Sequence, residues 1–117
     1  WDATVAACEV LDACIGRVAG ALLAVDAASV ADGGPGALLA ITADHGNAEV
    51  MRDAAGAVVT AHSLSLVPLL LAGSVATGIQ MRDGLLSDVA PTLLGFLGLP
   101  LADGMTGSSV VLAPAAG

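Results

Sequence analysis

Asp44 and His45 are adjacent side chains in the segment ITADHGNAEV, residues 41–50, and they lie two and three residues past the end of a short apolar run. Together they offer a carboxylate oxygen and an imidazole nitrogen, a donor pair that suits Mn²⁺, Zn²⁺ or Fe²⁺ better than Ca²⁺. Asn47 and Glu49 follow in the same segment, in a position to orient such ligands by hydrogen bonding. The residues therefore predict a site for a divalent cation, at which Gly46 lets the backbone turn away sharply.

A second histidine, His62, precedes the next apolar run by about four residues. Ligands of open α/β sheets lie beyond the carboxyl ends of the strands, which is the position of Asp44 and His45. His62 would instead lie at the entry of its strand, so it reaches the same pocket only by swinging back toward it. On the residues alone, a simple turn at Asp-His-Gly-Asn fits the pattern equally well, and an isolated histidine is more often a surface residue.

The elements that must position these residues begin with a helix. Apolar residues recur every three or four positions from residue 2 to about residue 28, which predicts a helix over that range. The repeating positions are Val5, Cys8, Leu11, Ile15, Val18 and Leu22. After a glycine-rich turn at residues 33–36, residues 37–42 form a continuous apolar run of the kind found in buried parallel strands.

The second half of the chain repeats these elements in the opposite order. Residues 66–73 form a second apolar run and predict a second buried strand. The segment SDVAPTLLGFLGLP predicts a helix with Ser87 as its N-cap, Pro91 in its first turn, and Gly98 with Pro100 at its end. The order helix, strand, loop, strand, helix predicts an α/β fold.

The charge balance excludes several classes of partner. The 117 residues include three arginines, no lysine and eleven acidic residues, for a formal net charge of −8. Nucleic acids and anionic membrane surfaces are not expected to bind, because both require clustered Lys and Arg. A membrane-spanning segment is not expected either, since the solid apolar stretch at residues 66–72 is far shorter than the roughly 20 residues that cross a bilayer.

The same charge balance leaves few positive side chains that could bind a phosphate substrate. Arg17, Arg52 and Arg82 are the only fixed positive charges in the side chains. An acidic balance of this kind fits solubility or cation binding.

The two cysteines indicate a reducing compartment. Cys8 and Cys14 are six residues apart, so on a helix they point roughly 120° away from each other and cannot form a disulfide within it. The first residues, WDATVAACEV, lack the basic region of a signal peptide. We therefore expect a cytoplasmic protein.

Several motifs in a fixed order resemble a known family. These are ITADHGNAEVMRD, AHSLSLVPLLLAG, MRDGLLSDVAPTLLGFLGLP and MTGSS, preceded by the helical segment CEVLDACIGRV. Together they run through nearly the whole chain and closely resemble the cofactor-independent phosphoglycerate mutases, which belong to the alkaline-phosphatase-like superfamily. Several ordered motifs at matching spacings are far more specific than one short motif.

The resemblance implies a fold, an activity and a ligand set. The fold would be part of a mostly parallel sheet flanked by helices. The activity would be the interconversion of 3-phosphoglycerate and 2-phosphoglycerate through a phosphoserine intermediate, with two Mn²⁺ ions or other divalent metals as cofactors. Asp44 and His45 would bind one ion and His62 the other. The metal ions would then supply the positive charge that this acidic chain lacks.

The departures from the family are equally informative. The family's serine nucleophile, its first metal-binding aspartate and an Asp-x-x-x-His pair all belong to upstream segments, and this sequence has no match to them. We therefore expect residues 1–117 to be the C-terminal portion of one metal-binding domain, with no second domain and no catalytic nucleophile. Ser65-Leu66 stands where the family often has Asn-Pro, and Ser108 where it often has a basic residue. Substrate-binding residues are not identifiable.

Two other interpretations remain open at this point. The chain could come from another alkaline-phosphatase-like enzyme, such as a phosphopentomutase or a phosphoester hydrolase, or it could be a non-catalytic α/β module. In the favoured interpretation its partners are phosphoglycerate and the missing N-terminal portion of the enzyme. An incomplete sheet leaves open edges and uncovered apolar faces. The chain alone is therefore expected to aggregate or form a loose globule without mutase activity.

Overall fold

The structure is a computed structural model that describes residues 1–112, and the chain divides into two compact units, residues 1–74 and residues from 75 on. The first unit contains helix α1 (Asp2–Ala31), strands β1 (Leu39–Thr42) and β2 (Leu69–Ala72), and the start of a 3₁₀ turn (Ser74–Ala76). The second contains β3 (Gln80–Met81), a 3₁₀ turn (Leu86–Asp88), α2 (Val89–Phe96) and β4 (Val111–Leu112). The predicted α/β class is confirmed at this level.

Helix α1 is three residues longer than the apolar repeat predicted. It ends at Ala31, where the Gly34 N–H donates to the Ser29 carbonyl at 2.7 Å and Gly33 takes a φ of 76°. A left-handed residue just past the last turn is the usual way to end a helix, and glycine adopts it without steric cost. The glycine-rich turn is therefore the helix stop signal.

The two strands of the first unit pair in the opposite sense from the predicted one. Strands β1 and β2 are antiparallel, with Leu39 opposite Ala72 and Thr42 opposite Leu69. The prediction of parallel pairing is wrong for these strands. Parallel neighbours need a crossover connection, usually a helix, whereas residues 43–68 contain no helix and simply bring the chain back.

The antiparallel pairing has a direct consequence for the candidate site. In an antiparallel pair the exit of one strand lies beside the entry of its partner. The segment that follows Thr42 therefore lies beside the segment that precedes Leu69. This resolves the difficulty posed by His62, because the entry of its strand is at the same end of the sheet as Asp44 and His45.

Only part of the predicted apolar face of α1 is covered. Ile15, Ala19, Leu22 and Asp26 are partly or fully buried and form one stripe along the helix. A shallow apolar groove of about 170 Å³ lies between this helix and β1, lined by Cys14, Ile15, Val18, Leu39 and Ile41. The other predicted face positions, such as Val5 and Leu11, are exposed.

In the second unit a buried carboxylate organises the start of α2. The Asp88 side chain accepts hydrogen bonds from the N–H groups of Ser108 (2.9 Å) and Leu85 (3.2 Å). The Thr92 hydroxyl donates to the Asp88 carbonyl (2.7 Å) and accepts from the Val110 N–H (3.0 Å). These bonds tie the first turn of α2 to the segment leading into β4. The N-cap is Asp88, so the prediction of Ser87 is wrong.

Arg82 adds to the same network. Its Nη1 donates to the Asp88 carboxylate at 3.2 Å and to the Asp83 carbonyl at 2.8 Å. Its Nη2 donates to the hydroxyl of Ser108 at 2.7 Å and to the Ser109 carbonyl at 3.0 Å. Ser108, where the family often has a basic residue, therefore accepts a hydrogen bond from an arginine. A second basic side chain there would meet Arg82 as a like charge.

The pH dependence of two aspartates is a first testable consequence. Hydrogen bonds from the Ser74 hydroxyl and the Ala37 N–H hold the pKa of Asp26 below its ordinary value. The pKa of Asp88 is also lowered, first by hydrogen bonds from the Ser108 and Leu85 N–H groups and then by Arg82. Because the pKa of each carboxyl group is lower in the folded state, its contribution to the stability of the fold is fully present above the unfolded pKa of about 3.9. It is lost as the pH falls through the folded pKa.

Carboxyl carbon shifts in an NMR titration would measure this directly. We expect Asp26 and Asp88 to titrate below the ordinary aspartate pKa of about 3.9, with the amide shifts of Ser74 and Ser108 changing at the same pH as their acceptors. Titration of both carboxyl groups at that ordinary value would contradict the hydrogen-bonding account.

The buried core is very small for a chain of this length. Apart from Pro91, Val110 is the only nonpolar side chain fully buried within residues 1–112. Several large nonpolar side chains are instead almost fully exposed, among them Trp1, Leu64 and Leu66.

Across residues 1–112, neither helix combines the length and the apolar character needed to cross a bilayer.

Candidate metal centre

A short backbone bridge brings the two halves of the candidate site together. Beyond the end of β1–β2 pairing, Gly46 and Ser63 form an isolated antiparallel bridge, in which the Ser63 N–H donates to the Gly46 carbonyl at 2.8 Å. His45 and His62 are the residues immediately before these two bridge partners. The β1–β2 register would place Gly46 opposite Ser65, so the bridge to Ser63 aligns the two histidine-bearing loops separately from the strands.

The two histidine rings are in direct contact. The centroids of the His45 and His62 rings are 3.6 Å apart, with 30° between the ring planes. The Nε2 atom of His45 lies 3.5 Å from Oδ2 of Asp44. The structure thus places His45 beside both Asp44 and His62, the other two residues that the sequence analysis assigned to metal binding. Asp44 is largely exposed, with 86% of its side-chain surface accessible, and His45 is partly buried.

The hydrogen bonding of His45 suits a metal ligand. Its Nδ1 atom lies 3.1 Å from the Gly46 carbonyl oxygen. A carbonyl can only accept, so this bond assigns the proton to Nδ1 and leaves the Nε2 lone pair of a neutral ring free. Metal-binding histidines are commonly oriented in this way, with the second ring nitrogen donating to a backbone carbonyl.

The separation of the two donor atoms also fits a shared ion. Two ligand atoms about 2.1 Å from one ion at a tetrahedral angle lie about 3.4 Å apart. The observed distance between His45 Nε2 and Asp44 Oδ2 is 3.5 Å. The same distance would also suit a simple ion pair with a protonated ring, which is the structural alternative.

The donor set is incomplete. Within the described residues, no group of three or more His, Cys, Asp or Glu side chains is arranged as a metal-binding cluster. The chemistry of Asp44, His45 and His62 fits a borderline divalent ion, but three donors leave several coordination positions to other groups. Cys8 and Cys14 are both free and exposed on α1.

Glu49 stabilises the loop that carries the ligands. Its carboxylate accepts a hydrogen bond from the Asn47 N–H at 2.7 Å. Hydrogen bonds from its own N–H and then from that of Asn47 lower the pKa of Glu49. Glu49 therefore contacts the backbone just after His45, and the orienting role predicted for the Asn47 and Glu49 side chains stays a prediction.

Gly46 is required for close packing rather than for an unusual backbone angle. Its φ is not in the positive range, so the bend of the backbone at Asp44 and His45 does not depend on a left-handed glycine. A Cβ atom at this position would collide with the Ser63 hydroxyl and lie 2.8 Å from Cβ of Ser65 and 3.1 Å from a Glu49 oxygen. The absence of a side chain allows the segment after β1 to contact the segment before β2.

Ser63 and Ser65 are site residues that the sequence analysis did not assign. The Ser63 hydroxyl lies 3.0 Å from that of Ser65 and accepts from the Ser65 N–H at 3.4 Å. The two serines alternate with leucines in residues 63–66, and this pattern in the sequence could have identified them. Small side chains at every second position of an extended segment share one face, and that face is turned toward Gly46.

Curated relatives resemble this chain over almost its full length. One from Syntrophotalea carbinolica, named 2,3-bisphosphoglycerate-independent phosphoglycerate mutase, is 45% identical over 94% of this chain and 20% of its own length. A protein of the same name from Desulforudis audaxviator is 44% identical over 94% of this chain and 20% of its own length. Another from Shewanella sediminis is 46% identical over 95% of this chain and 20% of its own length. The resemblance to this group is confirmed, and the chain spans about one fifth of the length of these relatives.

A family comparison agrees with the metal-ligand chemistry of the site. The sequence model of the metalloenzyme superfamily matches residues 1–101, which contain Asp44, His45 and His62. Because this match covers most of the sequence, the chain belongs to the metalloenzyme superfamily.

Proposed function

We propose that this chain is the C-terminal portion of a phosphoglycerate mutase that interconverts 3-phosphoglycerate and 2-phosphoglycerate with two Mn²⁺ ions. The name shared by relatives at about 45% identity supports the activity. The contact between His45 and His62, beside the carboxylate of Asp44, is the observation that carries the proposal. The relatives' name favours the mutase over a phosphopentomutase or a phosphoester hydrolase.

In this proposal the chain contributes ligands for two ions. Asp44 and His45 hold one and His62 holds the other, while the Gly46–Ser63 bridge keeps the two ligand segments together. The bound ions would neutralise the phosphoryl oxygens and lower the pKa of a serine nucleophile supplied elsewhere in the enzyme. Asn47 and Glu49 maintain the loop on which Asp44 and His45 are placed.

The arginines of the chain support a metal-based way of holding an anion. The Nη1 atom of Arg52 donates to the Gly56 carbonyl at 2.7 Å, and both terminal nitrogens of Arg82 donate within its own network. These two guanidinium groups are therefore engaged in holding loops. Positive charge for a phosphate group has to come largely from bound cations or from other parts of the enzyme.

The large exposed apolar surface supports the proposal that the rest of the enzyme packs against this chain. Trp1, Leu64 and Leu66 are each more than four-fifths exposed, and exposed nonpolar side chains of this size mark surfaces that pack against a partner. The partner would be the remaining part of the same enzyme, about four-fifths of the length of its relatives. The two free cysteines fit the cytoplasmic location that we retain as part of the proposal.

A chimeric enzyme tests this function without requiring two fragments to associate. The chain would replace the matching 110-residue segment of the Syntrophotalea carbinolica protein, and conversion of 3-phosphoglycerate would be assayed with Mn²⁺. We expect an active chimera, an inactive isolated chain, and loss of activity by about 100-fold or more with Asp44→Ala. Asp12→Ala removes the same charge from the exposed face of α1 and should leave activity unchanged.

Two results would contradict the proposal. One is turnover by the isolated chain, which has no assigned nucleophile. The other is an active chimera in which Asp44→Ala and Asp12→Ala behave alike.

A further inference from the structure

Helix α1 presents a second apolar stripe, the α1 seam, which the described residues leave uncovered. It consists of six exposed residues that follow one another in steps of three and four: Leu11, Cys14, Val18, Ala21, Val25 and Ala28. Leu11, Val18 and Val25 are 59%, 58% and 64% exposed. At about 100° per residue, the centre of the seam lies about 100° around the helix from the stripe that faces the sheet. The seam is therefore a separate face of α1.

The spacing of the seam specifies a helix as its occupant. Leu11, Val18 and Val25 repeat every seven residues, and a smaller apolar residue follows each of them three positions later. This is the pattern of two packed helices, in which the side chains of one insert between those of the other. The seam is about 26 Å long, which is enough for nearly five turns of a second helix.

The apolar surface continues from the seam onto the sheet. Cys14 and Val18 of the seam also line the groove of about 170 Å³, together with Leu39 and Ile41 of β1. A helix that lies along the seam would therefore contact the same face of the sheet as α1, which is the layered arrangement of α/β folds. A helix that is apolar on most of its circumference belongs inside a larger assembly of elements.

The charges of α1 favour a partner other than a second copy of this chain. Arg17 lies at the edge of the seam, about 70° from its centre, and forms no ion pair with any residue from 1 to 112. Glu9 and Asp12 lie on the opposite side of the helix, about 150° from the centre. Two copies packed along the full seam would therefore bring no acid of α1 to Arg17. A helix with an acidic side chain at its edge would complement it.

We propose that the α1 seam is the docking site of an amphipathic helix in the remaining part of the same enzyme, with an acidic side chain that faces Arg17. The identity of this partner rests on the proposed function, in which about four-fifths of the enzyme lies outside this chain. The docked helix covers both the seam and the adjoining groove beside β1.

Thiol reactivity measures which face of α1 is covered, because Cys14 lies in the seam and its thiol is free. Cys8→Ser and Ala27→Cys would be introduced together into the full chain and into the chimera with the Syntrophotalea carbinolica protein. Ala27 is exposed on the side of α1 that carries Glu9, about 150° from the seam centre. Peptide mass spectrometry would follow the reaction of N-ethylmaleimide at each of the two sites.

We expect the rate at Cys14, relative to that at Ala27→Cys, to be about tenfold lower in the chimera than in the isolated chain, because the reaction needs an accessible thiolate. Arg17→Glu, compared in the same two proteins, should restore much of the lost reactivity. A relative rate that is the same in both proteins overturns the proposal. Protection of Cys14 that grows with the concentration of the isolated chain also overturns it, because a second copy would then occupy the seam.

The activity of the chimera separates this proposal from the proposed function. A protected Cys14 in an inactive chimera supports the docking site and counts against the mutase. An active chimera in which the relative rate at Cys14 is unchanged supports the mutase and overturns the docking site.

Discussion

Replacing Asp44 by alanine is expected to abolish Mn²⁺ binding by the isolated chain, lowering the affinity by at least about tenfold. Among the described residues, Asp44 supplies the acidic oxygen that lies beside His45 Nε2, and its loss leaves His45 as the remaining proposed ligand of that ion. Two protein donors already hold an ion weakly, so the removal of the anionic one should take binding below detection. Electron paramagnetic resonance of free Mn²⁺ during a titration measures the change.

The matched control separates a site from general electrostatic attraction. The chain carries a net charge of −8, which attracts any divalent cation without a specific site. Asp12→Ala removes the same charge from an exposed position and should change the affinity little. Equal effects of the two substitutions would show that Mn²⁺ responds only to the overall charge, and would favour an ion pair between Asp44 and His45.

Replacing Gly46 by alanine is the second substitution with a large expected effect. The added methyl group would collide with the Ser63 hydroxyl and press on Ser65 and Glu49. Because Gly46 and Ser63 form the bridge next to the two histidines, the clash should push His45 and His62 apart. Overpacking of this kind typically costs about 1–3 kcal/mol, and we expect Mn²⁺ affinity to fall by about tenfold or more.

Gly16→Ala is the matched control for that substitution. A Cβ at Gly16 would have no neighbour within 4 Å, and the residue lies in the interior of α1. There the same chemical change should be neutral or favour the helix by up to about 1 kcal/mol. The readout is the proximity of the His45 and His62 ring protons by NMR. A Gly46→Ala chain that keeps this proximity and its Mn²⁺ affinity would refute the packing role of Gly46.

The positions of the main elements could be predicted because local patterns determine them. The three-to-four-residue repeat of α1 and the two apolar runs are properties of consecutive residues, and the structure has a helix or strand at each. The direction of strand pairing could not be predicted in this way. It depends on residues 43–68 returning without a crossover helix, and apolar runs look the same in parallel and antiparallel strands.

The buried acids illustrate a second limit of the sequence. Asp26 and Asp88 look like the nine other acidic residues of an acidic chain, and nothing local distinguishes them. Their burial depends on backbone donors 11 to 48 residues away for Asp26 and up to 20 residues away for Asp88.

The sequence named the candidate ligands, whose role in metal binding stays a prediction, but it could not predict how they are arranged. The motif identified Asp44, His45 and His62, and only the antiparallel pairing explains how the third reaches the first two. Ser63 and Ser65 contribute through the space that Gly46 leaves open, which depends on contacts between two loops.

Paramagnetic NMR of the chimeric enzyme, isotope-labelled in the segment that this chain supplies, tests the central claim that these three side chains form one metal-binding centre. Small amounts of Mn²⁺ broaden the signals of nuclei close to the bound ion. The account predicts that resonances of Asp44, His45 and His62 broaden first, well before those of the exposed acids Asp2, Glu9 and Asp12 on α1. Broadening spread evenly over the acidic residues, with the histidine rings unaffected, would contradict it.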